Sequence, residues 1–235
     1  MQSFFQRLDP ESCTYTYILV DEHSRKAVLI DSVREQIERD LTLLDEHGLS
    51  LEWILETHVH ADHVTGAAQL QTKTSARSAV GEQAGVVCAD RHLRDGDRIG
   101  FGTQYLTVLA TPGHTAGCVS YLWNDRVFSG DALLIDACGR TDFQGGDPAR
   151  LYESITQKLF KLPDETLVYP AHDYSGRQVS SIGEQRLSNP RLAGKSRQEF
   201  VTLMDNLDLD APRKIQIALP ANRLCGRDPE VREVT

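Results

Sequence analysis

Six consecutive residues, His58-Val59-His60-Ala61-Asp62-His63, carry three imidazoles and a carboxylate directly after the apolar run Trp53-Ile54-Leu55 and the pair Glu56-Thr57. Imidazole nitrogens and carboxylate oxygens are the donors that borderline divalent metals take. Crowding them with no ion between would set several polar rings competing for few partners. The plainer reading of such a stretch is an exposed polar loop. Against it stand further donors downstream: His114 in Thr111-Pro112-Gly113-His114-Thr115, Asp131 in Ser129-Gly130-Asp131, and His172 in Tyr169-Pro170-Ala171-His172. A lone histidine is more often a satisfied structural residue, and a lone Asp after Gly is usually a turn. Because each of these follows an apolar segment, together they read as one metal centre assembled from distant positions.

The elements that must carry these donors can be read from the pattern. Thr14 to Val20 and Ala27 to Asp31 are β-rich runs joined by a polar stretch, which predicts an antiparallel hairpin. Val33, Ile37, Leu41 and Leu44 then recur at helical spacing, with Ser32 and Glu35 as a capping box and Gly48 as the stop. After the metal-binding turn, Ala67 to Leu70 belongs to a short helix. Phe101 to Leu109 and Val119 to Phe128 read as strands, the second bent at Asn124-Asp125. Asp147-Pro148 opens a helix bearing Leu151, Ile155 and Leu159 on one face, and Pro163 lies beyond its end. Thr166 to Tyr169 is a strand that presents His172. Ser196 and Glu199 form a second capping box, and Lys214 to Leu219 reads as a final extended run. Strand pairs interspersed with helices fit an α/β layered domain whose ligands collect at one edge.

Composition narrows the classes. A chain of 235 residues with 40% hydrophobic content can bury a full core, and no linker, repeat or low-complexity tract divides it. Its apolar runs are too short to cross a bilayer, and Met1 to Gln6 lacks the pattern of an export signal, so a soluble cytoplasmic protein is expected. The net charge of −9 disfavours nucleic acid and anionic membrane as partners. An anionic substrate would have to find local basic residues. One such region exists, with Arg186, Arg191, Lys195 and Arg197 and no acidic residue among them, although a solvated surface is the plain alternative. Five widely separated cysteines, Cys13, Cys88, Cys118, Cys138 and Cys225, without a C-x-x-C pair argue for reduced thiols.

The histidine turn with His114, Asp131 and His172 resembles the metallo-β-lactamase superfamily. The blocks Ser129 to Ile135, Cys138 to Gln144, Tyr169 to Tyr174, Asn189 to Leu192 and Leu219 to Asn222 resemble one branch of it, the persulfide dioxygenases, which oxidise glutathione persulfide. The resemblance implies a four-layer αββα sandwich, two mixed sheets covered by helices, as one catalytic domain over residues 1–235 without a rhodanese domain. It implies a single iron(II) on His58, His114 and Asp131, a two-histidine, one-carboxylate set that leaves neighbouring positions open for sulfur and O2. His60, Asp62, His63 and His172, which complete a two-metal site in hydrolytic relatives, would here orient the ligands by hydrogen bonds. Arg140, Thr141, Tyr174 and Arg191 would contact glutathione, unless the arginines merely pair with acidic neighbours. The implied reaction takes glutathione persulfide, O2 and water to sulfite and glutathione.

Two other readings remain at this level. A glyoxalase II-type thioester hydrolase would use two metals on the same fold, but that branch holds glutathione with an additional helical region, and the residues after His172 match the dioxygenases instead. A noncatalytic metal-binding protein would be indicated by a missing ligand. All seven candidate ligands are present, so spacing alone does not choose between one metal and two.

Overall fold

The computed structural model describes residues 3–228. In its first sheet, β1 (Phe4–Leu8), β2 (Tyr15–Asp21) and β3 (Lys26–Ile30) are antiparallel neighbours, and β4 (Ser50–Leu55), β5 (Arg77–Gly81) and β6 (Arg91–Leu93) continue the sheet in parallel. Parallel neighbours need a crossover, which α1 (Ile37–Glu46) and α2 (Ala67–Thr74) provide on either side of β4. The second sheet runs antiparallel through β7 (Arg98–Phe101), β8 (Gln104–Ala110), β9 (Val119–Trp123) and β10 (Arg126–Gly130). It then crosses over through α3 (Pro148–Gln157) to parallel β11 (Leu167–Pro170), and β12 (Ser180–Ser181) closes the edge. The chain continues through α4 (Ile182–Ser188), α5 (Arg197–Asp205) and α6 (Ile215–Asn222).

Side-chain alternation along the strands builds three packed layers. Tyr17, Leu19, Val28, Ile30, Trp53 and Leu55 face inward and meet Phe101, Val108, Tyr121 and Phe128 of the second sheet. Their neighbours Ile18, Ala27, Leu29 and Ile54 face outward against α1 and α2. Val127 and Val168 face outward on the other side and meet Leu151, Ile155 and Phe200 of α3 and α5. The result is the αββα sandwich.

Four elements depart from the sequence reading, one of them Val119 to Phe128, where a turn at Asn124-Asp125 makes two antiparallel strands, β9 and β10, in place of one bent strand. Ser32 does not cap α1, because its hydroxyl donates to Glu56 Oε1 at 3.0 Å; a single 3-10 turn, Arg34–Gln36, leads into a helix that starts at Ile37. Phe101 to Leu109 is two strands, since Gly102 takes a left-handed φ of +57° and turns the chain between β7 and β8. The run from Lys214 is helical: burial of Ala218 and Ala221 against Val64 outweighs the strand preference of Ile215 and Ile217. The capping box at Ser196 and Glu199 forms as read, and Asp147 caps α3 by accepting from Arg150 N at 3.0 Å.

The two sheets are tied at the end away from the histidines by Asp21. Its Oδ2 accepts from Ser24 Oγ at 2.6 Å and from Thr103 N at 2.6 Å, in the turn between β7 and β8. These hydrogen bonds, that of Ser24 foremost, hold the carboxyl well below the usual carboxylate range. The native state therefore resists protonation that the unfolded chain accepts. The tie is complete above the ordinary carboxylate pKa of about 4 and weakens as pH falls below it. Asp21→Ala should lower stability at neutral pH by about 1.5–3 kcal/mol, the usual worth of bonds to a charged acceptor, and flatten the acid limb; denaturant titrations across pH check this, and parallel curves for variant and wild type would contradict it.

The thiols also differ from expectation. Cys88 and Cys225, 137 positions apart, are joined as a disulfide, because folding brings the segment after β5 against the end of α6, a proximity that spacing does not reveal. Cys13, Cys118 and Cys138 are free. Cross-linking so long a loop restricts the unfolded chain. Cys88→Ser is expected to lower unfolding free energy by about 2–4 kcal/mol, with reduction of the wild type by a dithiol giving a matching loss; an unmoved denaturant midpoint in both would contradict the role.

Candidate metal centre

The donors gather where strands end. The 58–63 turn follows β4, Asp131 follows β10, His172 comes just after β11, and His114 stands in the connection between β8 and β9. Asp31, at the end of β3 with φ +55°, is the anchor. Its Oδ1 accepts from Thr57 N at 2.7 Å and its Oδ2 from Thr57 Oγ1 at 2.9 Å. With that proton given to Asp31, Thr57 Oγ1 can accept from His58 Nδ1 at 2.9 Å, which fixes the tautomer and leaves Nε2 bare. His114 is set the same way, its Nδ1 donating to Arg140 O at 2.6 Å. Gly130 makes room for this chain of bonds: φ is +55°, and a Cβ there would lie 2.6 Å from Thr57 Oγ1.

Donor atoms of His58, His114 and Asp131 lie within 4.8 Å of one another. His114 Nε2 is 3.6 Å from Asp131 Oδ2, and Asp131 Oδ1 is buried with no hydrogen-bond partner among the described residues. Burial, reinforced by the neighbouring His60, holds His58 well below the ordinary imidazole range and keeps it neutral, as a ligand must be. A buried carboxylate oxygen without a partner beside two oriented imidazoles is an arrangement that a cation completes. The residues therefore fit a bound metal.

The remaining sequence-read donors surround this set. His60 Nε2 lies 3.1 Å from Asp31 Oδ1 and 3.5 Å from Glu56 Oε2; against burial, which alone would lower it, Asp31 draws the imidazole up to about 10. His63 Nδ1 lies 3.1 Å from Asp62 Oδ2 and 3.2 Å from Thr14 Oγ1. His172 donates from Nδ1 to Cys13 O at 3.0 Å, which aims Nε2 between Asp62 and Asp131, 3.7 Å from each. His60, Asp62 and His63 form a second cluster within 4.8 Å.

A cleft of about 470 Å³ opens over the centre, walled by Leu134, Ala137, Cys138 and Leu209, with Arg140, Tyr174 and Arg191 in its lining; Thr141 is not part of it. The two arginines differ. Arg140 is committed to the chain, its Nε and Nη2 each 2.7 Å from the Asp142 carboxylate and its Nη1 and Nη2 on the carbonyls of Asp210 and Leu209. Arg191 donates from Nη1 to Cys138 O at 2.6 Å and has no carboxylate partner among the described residues. Two others of the basic region are paired with acidic side chains, Arg186 with Asp164 and Arg197 with Glu153. Asp31, Glu56, Thr57 and Thr14 escaped the sequence reading as site residues; the position of Asp31 at the end of an apolar strand beside the turn was the available signal.

Comparisons with known proteins agree with this construction. Residues 9–172 match the family model described as the metallo-beta-lactamase superfamily. The human protein named persulfide dioxygenase ETHE1, mitochondrial, is 49% identical over 223 residues, 94% of this chain and 87% of that protein. The crystal structure of ETHE1 from Myxococcus xanthus superposes with a TM-score of 0.94 at 52% identity, covering 96% of this chain and 100% of that one. A solved protein described as TTHA1623 in a di-iron-bound form has a TM-score of 0.67 at 30% identity, over 80% of this chain and 100% of that one. On fold, donor set and relatives together, the chain belongs to the metallo-β-lactamase superfamily and, within it, to the persulfide dioxygenases.

Proposed function

We propose that this protein oxidises glutathione persulfide with O2 and water to sulfite and glutathione, using one iron(II) per chain held by His58, His114 and Asp131. The observation that carries the reading is that set of three donors beneath a cleft containing an arginine without a carboxylate partner among the described residues, in a chain half identical to persulfide dioxygenases. The di-iron form of a more distant relative supports iron as the metal and keeps a two-metal site as the alternative. Bound iron(II) would supply a cationic seat for sulfur and the redox chemistry, the second of which is closed to zinc.

The chain's own part is placement and electrostatics. Thr57 and the Arg140 carbonyl orient the two imidazoles, and the apolar wall of Leu134, Ala137 and Leu209 limits water over the centre. One nitrogen of the Arg191 guanidinium is fixed on Cys138 O, and its other donors can receive a substrate carboxylate. The Tyr174 ring stacks on His172 at 5.9 Å and flanks the cleft. Arg140 acts on substrate indirectly, by holding the 209–210 segment that forms part of the wall.

Protein loaded with iron under argon should consume O2 in step with sulfite formation when glutathione persulfide is added. A glyoxalase II-type enzyme would instead hydrolyse a glutathione thioester with about two metals bound, His60, Asp62, His63 and His172 completing the site. His114→Ala should lose iron and activity together; stoichiometric iron in the folded variant would show that the ligand set is wrong. Arg191→Ala should raise the apparent KM roughly tenfold to a hundredfold with kcat little changed, as fits a charge-assisted contact of about 1.5–3 kcal/mol. An unchanged KM would remove Arg191 from the substrate site.

A further inference from the structure

The histidine turn has irregular backbone, and irregular backbone holds its path only if its polar groups find partners. Two of its carbonyls, those of His60 and His63, receive hydrogen bonds from one side chain far along the sequence. Asn222 Nδ2 donates to His60 O at 2.8 Å and to His63 O at 2.9 Å, while its Oδ1 accepts from Thr65 N at 2.8 Å. No other hydrogen bond to either carbonyl is found among the described residues. Asn222 is 5% exposed, at the end of α6, and none of these three bonds returns to its own helix. Its helix is seated to serve the turn: Ala218 and Ala221 pack on Val64, and Cys225 O accepts from Ala68 N at 3.0 Å at the start of α2. The bracing also reaches the anchor of the site, since Thr65 Oγ1 donates to Glu56 Oε1, Glu56 Oε2 lies 3.5 Å from His60 Nε2, and that nitrogen lies 3.1 Å from Asp31 Oδ1.

We propose that Asn222 is a positioning residue for the metal centre. Through three hydrogen bonds it fixes the path of the turn that carries His58, and so sets the affinity of the His58, His114 and Asp131 set for its metal. The inference rests on those three residues being the ligands. Asn suits the task because a single amide offers two donors for two carbonyls and one acceptor for an N–H. An aspartate of the same shape keeps the acceptor but turns an oxygen toward both carbonyls.

The test is iron(II) affinity, measured under argon by competition with a chromophoric ferrous chelator, for wild type, Asn222→Asp, Asn222→Ala, Leu219→Ala and His114→Ala. Leu219→Ala removes a partly buried side chain of α6 and leaves the three bonds intact, so it reports what loosening the helix alone does. Asn222→Asp and Asn222→Ala should each weaken iron binding roughly tenfold to a hundredfold, the range seen when partners that orient metal ligands are removed. Leu219→Ala should bind iron as wild type does, at whatever cost in thermal stability. Wild-type affinity in both folded Asn222 variants, or an equal loss in Leu219→Ala, overturns the proposal. Retention of iron by His114→Ala would instead overturn the ligand set on which it rests, so the two failures are told apart.

Discussion

Asp31 is the point at which the strand ends of the first sheet and the metal-binding turn are joined. It is 1% exposed, its backbone N–H donates to Leu55 O, and its carbonyl accepts from Thr16 Oγ1, so β2, β3 and β4 meet at one residue. Its side chain takes both donors of Thr57 and faces His60. A buried carboxylate is costly unless its lone pairs are answered. Here each answering group belongs to the turn or to the segment leading into it, so satisfying Asp31 and orienting His58 are one event. The left-handed backbone at Asp31 is local strain held by the surrounding sheets where the chemistry sits, while Gly130 opposite takes the same conformation without a Cβ to hinder it.

The cleft above this centre divides its cationic groups by function. An acidic protein that handles an anion must concentrate positive charge where it is wanted. Of two arginines that look alike in sequence, one is neutralised by Asp142 and serves as a brace between chain segments, and the other keeps donors facing the cavity. The resulting field comes from the metal site and one guanidinium, with apolar side chains between them.

Much of the site was legible because its donors are chemically conspicuous and strand-end placement is repeated. The seven donors stand out as a set, and the apolar segments before them announce the strands; singling out His58, His114 and Asp131 rested on the family resemblance. The parts that were not legible depend on tertiary contact. Ser32 and Glu35 match a helix cap in sequence, yet the nearby buried Glu56 captures the Ser32 hydroxyl. Ile215 to Leu219 carry strand preference, yet small residues on one face let that segment dock on Val64 as a helix. Pairing of Cys88 with Cys225 and the reach of Asn222 to a turn some 160 positions earlier join chain ends that no local pattern relates.

The disulfide divides the candidate metal donors between two topological parts of the molecule. Residues 88 to 225 form a covalent ring that contains His114, Asp131 and His172, whereas the turn from His58 to His63 lies on the arm outside it. A single protease cut within the ring leaves one covalent molecule with every ligand attached. A cut between His63 and Cys88 frees the arm, and the metal centre would then be shared between two chains held by packing and hydrogen bonds alone.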